Sequence, residues 1–215
     1  MAKQNTHLEH LEDDILNQGS RGGVNAVKFL RELGKMLSEP HSNVNVTTKW
    51  DGAPAVICGR HPTTKNFFVG TKGVFAKMPK ICLSDADVDH YYSGDLAAKL
   101  KTCLRLLPKL NIQGVLQGDL LFTNDTTTRT IGGEQVISFQ PNTITYAIPE
   151  KSELGQRVKK AQLGIVFHTS YSGGPNLLDM TPSFGVDVSR MQNVPGVVVF
   201  SSNFTDATGA SLFTQ

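Results

Sequence analysis

A lysine, an aspartate and a glycine lie close together in Lys49-Trp50-Asp51-Gly52, which follows the extended run 44–48. An ε-amine is a nucleophile once it has lost its proton, and a strand places the carboxylate two residues later on the same face. Glycine lets the backbone pass close to a ligand. The spacing therefore predicts a nucleophilic amine with an acidic neighbour, at the point where a strand enters a turn.

The same four residues also have a simpler interpretation. Asp51-Gly52 is a common turn pair, and Lys49 would then be the solvated end of a strand. A Lys-x-Asp-Gly string occurs by chance in roughly one chain in twenty of this length. The features that follow it along the chain favour the chemical interpretation.

Three stretches resemble, in the same order, signatures of the covalent nucleotidyltransferase superfamily, which contains ATP-dependent DNA ligases, RNA ligases and mRNA capping enzymes. Residues 49–55 resemble the first signature, and residues 68–73 resemble the strand and turn that come next. Leu116-Gln117-Gly118-Asp119-Leu120 resembles the third signature, a glycine followed by an acid and an aliphatic residue. The first signature is the specific one, and the resemblance spans residue 44 to about residue 170.

The resemblance implies a role for each matching residue. Lys49 would attack the α-phosphorus of ATP and form lysyl-AMP. Asp51 and Gly52 would line the nucleotide site, with Asp51 orienting the lysine or the ribose. Lys72 would contact phosphate, and Asp119 would bind a ribose hydroxyl. An ordinary lysine, with a pKa of about 10.4, is protonated at neutral pH, so a nearby cation, a metal ion or desolvation must activate it.

The resemblance also implies a cofactor and a partner. Mg²⁺ would neutralise the triphosphate and the leaving pyrophosphate, although no protein ligand for the metal is assigned. AMP would then move to a 5′-phosphorylated DNA or RNA end, and a 3′-hydroxyl would seal the strand. For the aromatic ring that stacks on the base, Phe167 is the first choice and Tyr146 the second, and each also fits a place in the core.

Two further signatures of that superfamily are missing. The fourth carries a metal-holding glutamate before a glycine, whereas Pro195-Gly196-Val197 has no acid. The fifth carries phosphate-binding lysines, and Lys159 and Lys160 lie instead on a predicted helix.

Either a missing C-terminal segment or a partner chain completes a ligase, or the chain is a degenerate module that binds nucleotide or nucleic acid without reacting. A third alternative is a phage structural or assembly protein with Lys49 in an ordinary turn. The whole chain resembles uncharacterised proteins of tailed viruses that infect marine cyanobacteria.

The composition bounds the class of protein. The chain has 215 residues, 39% hydrophobic and 19% charged, as in an ordinary globular protein with one substantial core. A net charge of +2 predicts local basic patches for any nucleic-acid contact. Three widely spaced cysteines argue against a disulfide framework and a structural zinc site. With no signal peptide and no membrane-spanning run, we predict a cytoplasmic protein, in the host cytoplasm if it is viral.

The hydrophobic periodicity predicts an α+β protein. A segment 1–43 contains two predicted N-terminal helices. The first is at about residues 7–18, Gly19–Gly23 breaks it, and the second follows that break and ends at about Ser38. The resemblance implies that residues 44–215 form a partial nucleotidyltransferase-like domain, with an antiparallel sheet of the ATP-grasp-like ligase adenylation type. Its predicted strands and helices are, in order, strands 44–49, 55–58 and 66–70, a helix capped by Ser84 and Asp87, a helix at 94–107, strands at 114–122 and near 136–148, a helix at 152–162, and strands 164–169 and 197–200.

Two loops carry weaker signals. Gly19–Gly23 fits an interhelical linker better than a phosphate-binding nest, because it lacks the Gly-Lys-Ser/Thr ending of a P-loop. Lys72, Lys77 and Lys80, with Phe75 among them, fit equally a strip for a nucleic-acid strand and a solvated basic loop.

Overall fold

The computed structural model describes residues 11–38 and 47–202, which fall into two compact units: a pair of helices, and residues 48–202. The α+β class is confirmed, with helices first and mostly antiparallel sheets after them. The predicted boundary at residue 43 and most of the predicted strand 44–49 lie outside the described residues. No helix in the two described ranges combines the length and apolarity needed to cross a membrane.

The helical unit is a hairpin of α1 (Leu11–Gln18) and α2 (Ser20–Ser38). Gly19, with a φ of +57°, makes the turn between them. A Cβ on Gly22 would lie 1.8 Å from the main-chain oxygen of Asp14, so glycine allows the two helices to touch. The predicted break at Gly19–Gly23 is therefore wrong in extent: it is a single residue, and the glycines after it are helical.

The second unit contains two sheets and three helices. In chain order its elements are β1 (Ala55–Arg60), β2 (Phe67–Gly70), α3 (Asp85–Tyr91), α4 (Gly94–Leu106), β3 (Val115–Thr123), β4 (Thr127–Ile131), β5 (Glu134–Phe139), β6 (Tyr146–Pro149), α5 (Glu153–Lys160), β7 (Leu163–Ser172), β8 (Thr181–Phe184) and β9 (Val197–Phe200). The larger sheet has the order β2-β1-β3-β7-β8, and the smaller has the order β4-β5-β6.

Long strand β7 organises the larger sheet. One of its edges pairs antiparallel with β3 along most of its length. Its other edge is shared: residues 163–166 pair parallel with β9, and residues 169–172 pair antiparallel with β8. Because β9 returns beside the first half of β7, the end of the second unit lies next to its beginning, where Thr48 donates a hydrogen bond to the main-chain oxygen of Ser202 at 2.6 Å.

The larger sheet buries both faces, but differently. One face packs on α3 and α4 and forms the largest apolar cluster, which includes Val56, Leu100, Leu116 and Ile165. The other face carries two smaller clusters, one around Ile57, Phe68 and Val115 and one around Leu121, Phe139 and Phe200, and the latter joins the small sheet. Since side chains alternate along a strand, residues 117 and 119 of β3 lie on this second face, between Val115 and Leu121. A polar strip therefore separates the two clusters.

Candidate functional site

The segment that carries Lys49 is fixed at both ends to neighbouring strands. At its start, the indole nitrogen of Trp50 donates to the main-chain oxygen of Ser201 at 3.2 Å, beside the bond between Thr48 and Ser202. The Trp50 ring packs on the second face of the sheet, against one ring of the small sheet and one of β9. Both ring centroids lie 5.1 Å away, in Tyr146 and in Phe200.

Asp51 holds the loop between β5 and β6. Its carboxylate accepts hydrogen bonds from the side-chain amide of Asn142 at 2.8 Å and from the main-chain N–H groups of Thr143 and Ile144 at 2.7 and 2.9 Å. These donors favour the ionised form. The pKa of Asp51 is accordingly lowered, chiefly by the Ile144 N–H, then by Asn142 and Thr143, with a smaller contribution from the charge of Lys49.

That arrangement favours one of the two roles predicted for Asp51, orienting the lysine rather than the ribose. Its carboxylate oxygens are already engaged by the loop, which leaves little capacity for a ribose hydroxyl. Its own N–H donates to the hydroxyl of Tyr146 at 2.8 Å. Asp51 is therefore a residue that positions the lysine segment, and the carboxylate of the pair that remains for a ligand is Asp119.

Gly52 brings the lysine segment into direct contact with β3. A Cβ on Gly52 would lie 2.5 Å from the Cβ of Asp119 and 3.0 Å from the main-chain oxygen of Leu120. The next residue, Ala53, donates to that same oxygen at 3.0 Å. Three extended residues span about 10 Å, so the Cα of Lys49 lies within that distance of Gly52 and within reach of the Asp119 strand. The stretch that carries Lys49 and the strand that carries Asp119 are therefore in contact at Gly52, and a shared site stays a prediction.

Asp119 faces a histidine that the sequence did not assign to the site. The Nε2 of His168 lies 3.6 Å from the Asp119 carboxylate, and the two side chains are 16% and 22% exposed. A bulge in β7 leaves His168 unpaired, because the register passes from Gly118 opposite Phe167 to Gln117 opposite Thr169. The sequence gives no signal for this position of His168, because a bulge leaves no mark in a hydrophobic pattern.

The imidazole is oriented from its other side. Its Nδ1 lies 2.8 Å from the hydroxyl oxygen of Thr169. A neutral imidazole whose Nε2 faces a carboxylate is best arranged with the proton on Nε2 and with the threonine hydroxyl donating to Nδ1. Asp119, His168 and Thr169 thus form a short polar chain across β3 and β7.

The structure does not support base stacking by Phe167. Its ring is fully buried in the cluster under α4, on the face of the sheet opposite to Asp119, so no ligand at the polar strip can reach it. Tyr146 does lie at the site, but its ring packs against Trp50 and against Phe139, whose centroid is 5.5 Å away. Tyr146 therefore supports the lysine segment through the contact of its ring with Trp50.

The two predicted basic residues are exposed. Lys49 extends from the anchored segment with an exposed side chain. Lys72 begins a short 3₁₀ turn, Lys72–Phe75, directly after β2, and it is also exposed. Since β1 separates β2 from β3, Lys72 lies across the sheet from Asp119 by about two strand spacings, or roughly 10 Å.

The fit to magnesium rests on one carboxylate. Within residues 11–38 and 47–202, no group of three or more histidine, cysteine or acidic side chains is placed to hold a metal. Mg²⁺ bound to a nucleotide is commonly held by substrate phosphates, waters and one or two carboxylates. Asp119 could supply one such carboxylate. Asp51 does not add a second, because its carboxylate already accepts three hydrogen bonds from the loop 142–144.

Comparisons with known proteins assign the chain to a family but not to an activity. Neither the curated proteins nor the solved structures contain a significant match to it. A sequence model of one protein family, described as a family of unknown function, matches residues 5–215, which is nearly the whole chain. The chain therefore belongs to the family of unknown function DUF6267.

Proposed function

We propose that this chain is a nucleotidyltransferase of the polynucleotide-ligase type, in which Lys49 accepts AMP from ATP with Mg²⁺ and passes it to a DNA or RNA end. The observation that carries the proposal is the contact between Gly52 and Asp119, since a Cβ on that glycine would lie 2.5 Å from the Asp119 Cβ. It joins the first and third signature stretches, which are far apart in sequence, at one place on the polar face of the sheet.

In this proposal the Lys49 Nζ, after losing a proton to solvent, attacks the α-phosphorus of ATP. A phosphorus–nitrogen bond forms, the bond to the bridging oxygen of the β-phosphate breaks, and pyrophosphate leaves with the electron pair. Asp119 accepts a hydrogen bond from the ribose, and His168 holds the carboxylate in place. Mg²⁺, when bound with the nucleotide, supplies charge neutralisation on the phosphates.

In this proposal, the rate of the attack by Lys49 depends more on the positioning of the lysine than on its chemical activation. The segment around Lys49 is anchored to β3, β6 and the residues after β9, which limits the entropy lost on reaching the reactive geometry. The exposure of Lys49 leaves water around the amine and the phosphate that it would attack. We therefore expect slow labelling by these 215 residues, and faster labelling once a further segment or partner closes over the amine.

The second candidate is a module that binds nucleotide or nucleic acid without reacting. It is favoured by the saturation of Asp51 and by the burial of Phe167, which together remove two groups that the reaction scheme had assigned. Such a module would keep the polar strip at Asp119 and His168 as a ligand contact while Lys49 served only as a cation.

The test is covalent labelling with α-³²P-ATP and Mg²⁺, followed by denaturing gel electrophoresis. We expect label that is stable to base and labile to acid, as a phosphoramidate is, and that disappears in Lys49→Ala and in Lys49→Arg. The matched control is Lys151→Ala, another exposed lysine in the same unit, which should label like the unmodified protein. α-³²P-GTP tests the choice of nucleotide in parallel.

The outcomes separate the candidates. Label that persists in Lys49→Ala overturns the proposal for this residue. Absence of label, together with nucleotide binding that Asp119→Asn weakens, selects the binding module. Absence of both labelling and binding leaves a structural or assembly role, in which Lys49 is an ordinary residue at a strand end.

A further inference from the structure

A groove at the far end of β1 carries positive charge without a carboxylate among its lining residues. It has a volume of about 690 Å³ and opens between the β1–β2 turn and the loop after β7. Arg60 and Lys65 lie on one side, Gly173 and Gly174 on the other, and Tyr171 also lines the groove. The volume is within the range of small-ligand sites, and the groove is a separate site from the one at Asp119.

The two cations are fixed in place by the main chain. The Arg60 guanidinium donates to the oxygen of Lys65 at 3.3 Å, and the Lys65 ammonium donates to the oxygen of Pro62 at 2.6 Å. Neither makes an ion pair with a carboxylate anywhere in the part of the chain that the structure describes. Carbonyl oxygens orient these side chains without neutralising them, so both positive charges remain available to an anion.

Backbone strain at the turn supports a ligand role for the lysine side chain. Lys65 has a φ of +62°, in the left-handed region where glycine and asparagine are favoured. Its N–H donates to the His61 oxygen at 2.9 Å, and the His61 N–H donates to the Asn66 oxygen at 2.9 Å, which closes the turn. A long cationic side chain at a strained position is disfavoured by folding alone.

The remaining lining groups also suit an anion. Ser172 provides a hydroxyl donor, whereas the side-chain amide of Gln113 already donates to Asn111. A Cβ on Gly114 or Gly173 would meet nothing within 4 Å, so the backbone there is open to a ligand. Asp179 is the carboxylate beside the loop, close to Gly174, and its side chain already accepts from Asn176 at 2.9 Å. The donors thus converge on the groove, and the neighbouring acid is engaged elsewhere.

The surrounding sequence strengthens the positive field. Residues 52–84 contain no aspartate or glutamate, but they contain five basic residues: Arg60, Lys65, Lys72, Lys77 and Lys80. All five are exposed. A stretch of this kind concentrates positive potential on one part of a chain whose net charge is only +2.

We infer that the groove bounded by Arg60, Lys65 and Gly173-Gly174 is a phosphate-binding site. Fixed cations, hydroxyl donors and open glycine backbone are the groups that bind phosphate oxygens in proteins. β1 runs about 17 Å from Ala55, opposite Asp119, to Arg60, a distance that about five stacked nucleotides of one strand would cover. The phosphate can belong to a polynucleotide backbone or to a free polyphosphate, and the site does not depend on any reaction at Lys49.

The first measurement is fluorescence anisotropy with a labelled 12-nucleotide single-stranded DNA, between 50 and 200 mM salt. In Arg60→Gln/Lys65→Gln we expect binding about five-fold weaker or more, and a salt slope smaller by about 1.4, since each phosphate contact on a single strand contributes about 0.7. The matched control is Lys109→Gln/Arg129→Gln, which removes one lysine and one arginine, both exposed, away from the groove. It should bind within about two-fold of the unmodified protein.

The second measurement uses the unmodified ¹⁵N-labelled protein, so it does not depend on the folding of a variant. Millimolar pyrophosphate and the unlabelled oligonucleotide are titrated separately while the amide signals of Gly114, Gly173 and Gly174 are followed. Shifts with the oligonucleotide assign the site to a strand backbone, and shifts with pyrophosphate alone assign it to a free polyphosphate. The inference is overturned if neither probe moves these signals. If the oligonucleotide moves them but the groove variant binds the DNA like the control variant, Arg60 and Lys65 do not bind the strand, and the inference is overturned as well.

Discussion

Asp51 lies two residues after Lys49, and Asp119 contacts Gly52, but their surroundings give these two carboxylates different roles. Asp51 accepts three hydrogen bonds from the loop 142–144, so it is fully used in holding that loop. Asp119 faces a single histidine at 3.6 Å and keeps part of its surface exposed. An acid with spare acceptor capacity can take a ligand hydroxyl, whereas a saturated one cannot. Asp51, the acid nearest to Lys49 in the sequence, therefore has a structural role. Asp119, which is distant in the sequence, is available to a ligand.

The saturation of Asp51 predicts a pH dependence of stability. The folded-state pKa of Asp51 lies below its ordinary value of 3.8, so the ionised carboxylate stabilises the fold above that pH, and this contribution is lost as the pH falls through the folded pKa. Asp51→Asn should be less stable than the unmodified protein at pH 7, and the difference should shrink below about pH 3.8. Urea unfolding at pH 7, 5, 4 and 3 measures it. A difference that stays constant over this range would contradict the assignment.

The contact at Gly52 predicts that even a methyl group is not tolerated. In Gly52→Ala the new Cβ would lie 2.5 Å from the Asp119 Cβ, so the lysine segment must move away from β3. Overpacking of this kind typically costs about 1–3 kcal/mol of unfolding free energy. Urea denaturation gives the value.

Gly73→Ala is the matched control for that change. It lies in the same unit, and its new Cβ would meet only the flexible Lys80 side chain, at 3.4 Å. We expect a change within about 0.5 kcal/mol for the control. Equal stability of Gly52→Ala and the unmodified protein would mean that the two stretches are not held together in solution.

At the scale of elements, local patterns predicted most of the sheet, and long-range pairing remained hidden. β1, β2, α3, α4, β3, α5 and β7 were predicted close to their observed bounds, because each has a clear apolar period or cap. β4 was missed, since all five of its residues are exposed and carry no alternation. β8 was also missed, because it is a short edge strand that contains Pro182.

The same contrast between local patterns and long-range pairing holds for the candidate site. The approach of Gly52 to Asp119 follows from two signature stretches whose order had suggested one cleft. The bulge that turns His168 toward that cleft, and the loop that saturates Asp51, depend on pairing between distant strands. A single sequence has no signal for either, so the supporting residues were found only in the structure.

The cap of α3 predicts a difference between two serines. Ser84 accepts from the Asp87 N–H, and the Asp87 carboxylate accepts from the Ser84 N–H, which forms a capping box. Ser93 begins α4 without a side-chain capping bond. Ser84→Ala should lose about 1 kcal/mol of stability, and Ser93→Ala, its control, less than about 0.5 kcal/mol. Chemical denaturation of both variants provides the comparison, and equal losses would show that the cap does not matter for stability.

At the scale of the whole molecule, the three apolar clusters found among the described residues belong to residues 48–202. The largest lies between the main sheet and α3–α4, and the other two lie on the opposite face. The candidate site is the polar strip of the main sheet that lies between these two smaller clusters, so packed apolar side chains flank it on both sides. Asp119 and His168 are thus carried by packed strands, while Lys49 extends from an anchored segment with an exposed side chain.

Three buried cysteines allow the integrity of the largest cluster to be measured. Cys58 lies in β1, Cys103 lies in α4, and Cys82 pairs by its backbone with β2, and all three are free and fully buried. Burial raises the pKa of each thiol, to about 11 for Cys82 and about 12 for Cys103, and well above its ordinary value for Cys58. Thiolates are the reactive form, so the native protein should be inert to thiol reagents near pH 8.

We expect the three thiols to react together, because they belong to one cluster that opens as a unit. With a chromogenic disulfide reagent at pH 8, the native protein should show almost no reaction within minutes, and the protein in guanidinium should release three equivalents. In low urea, the logarithm of the rate should rise with the slope of global unfolding, and peptide mapping should find equal modification. If one cysteine reacts well ahead of the others, the sheet and the helices over it open separately. The polar strip at Asp119, which lies on the opposite face of that sheet, would then lack the rigid floor that a positioned lysine requires.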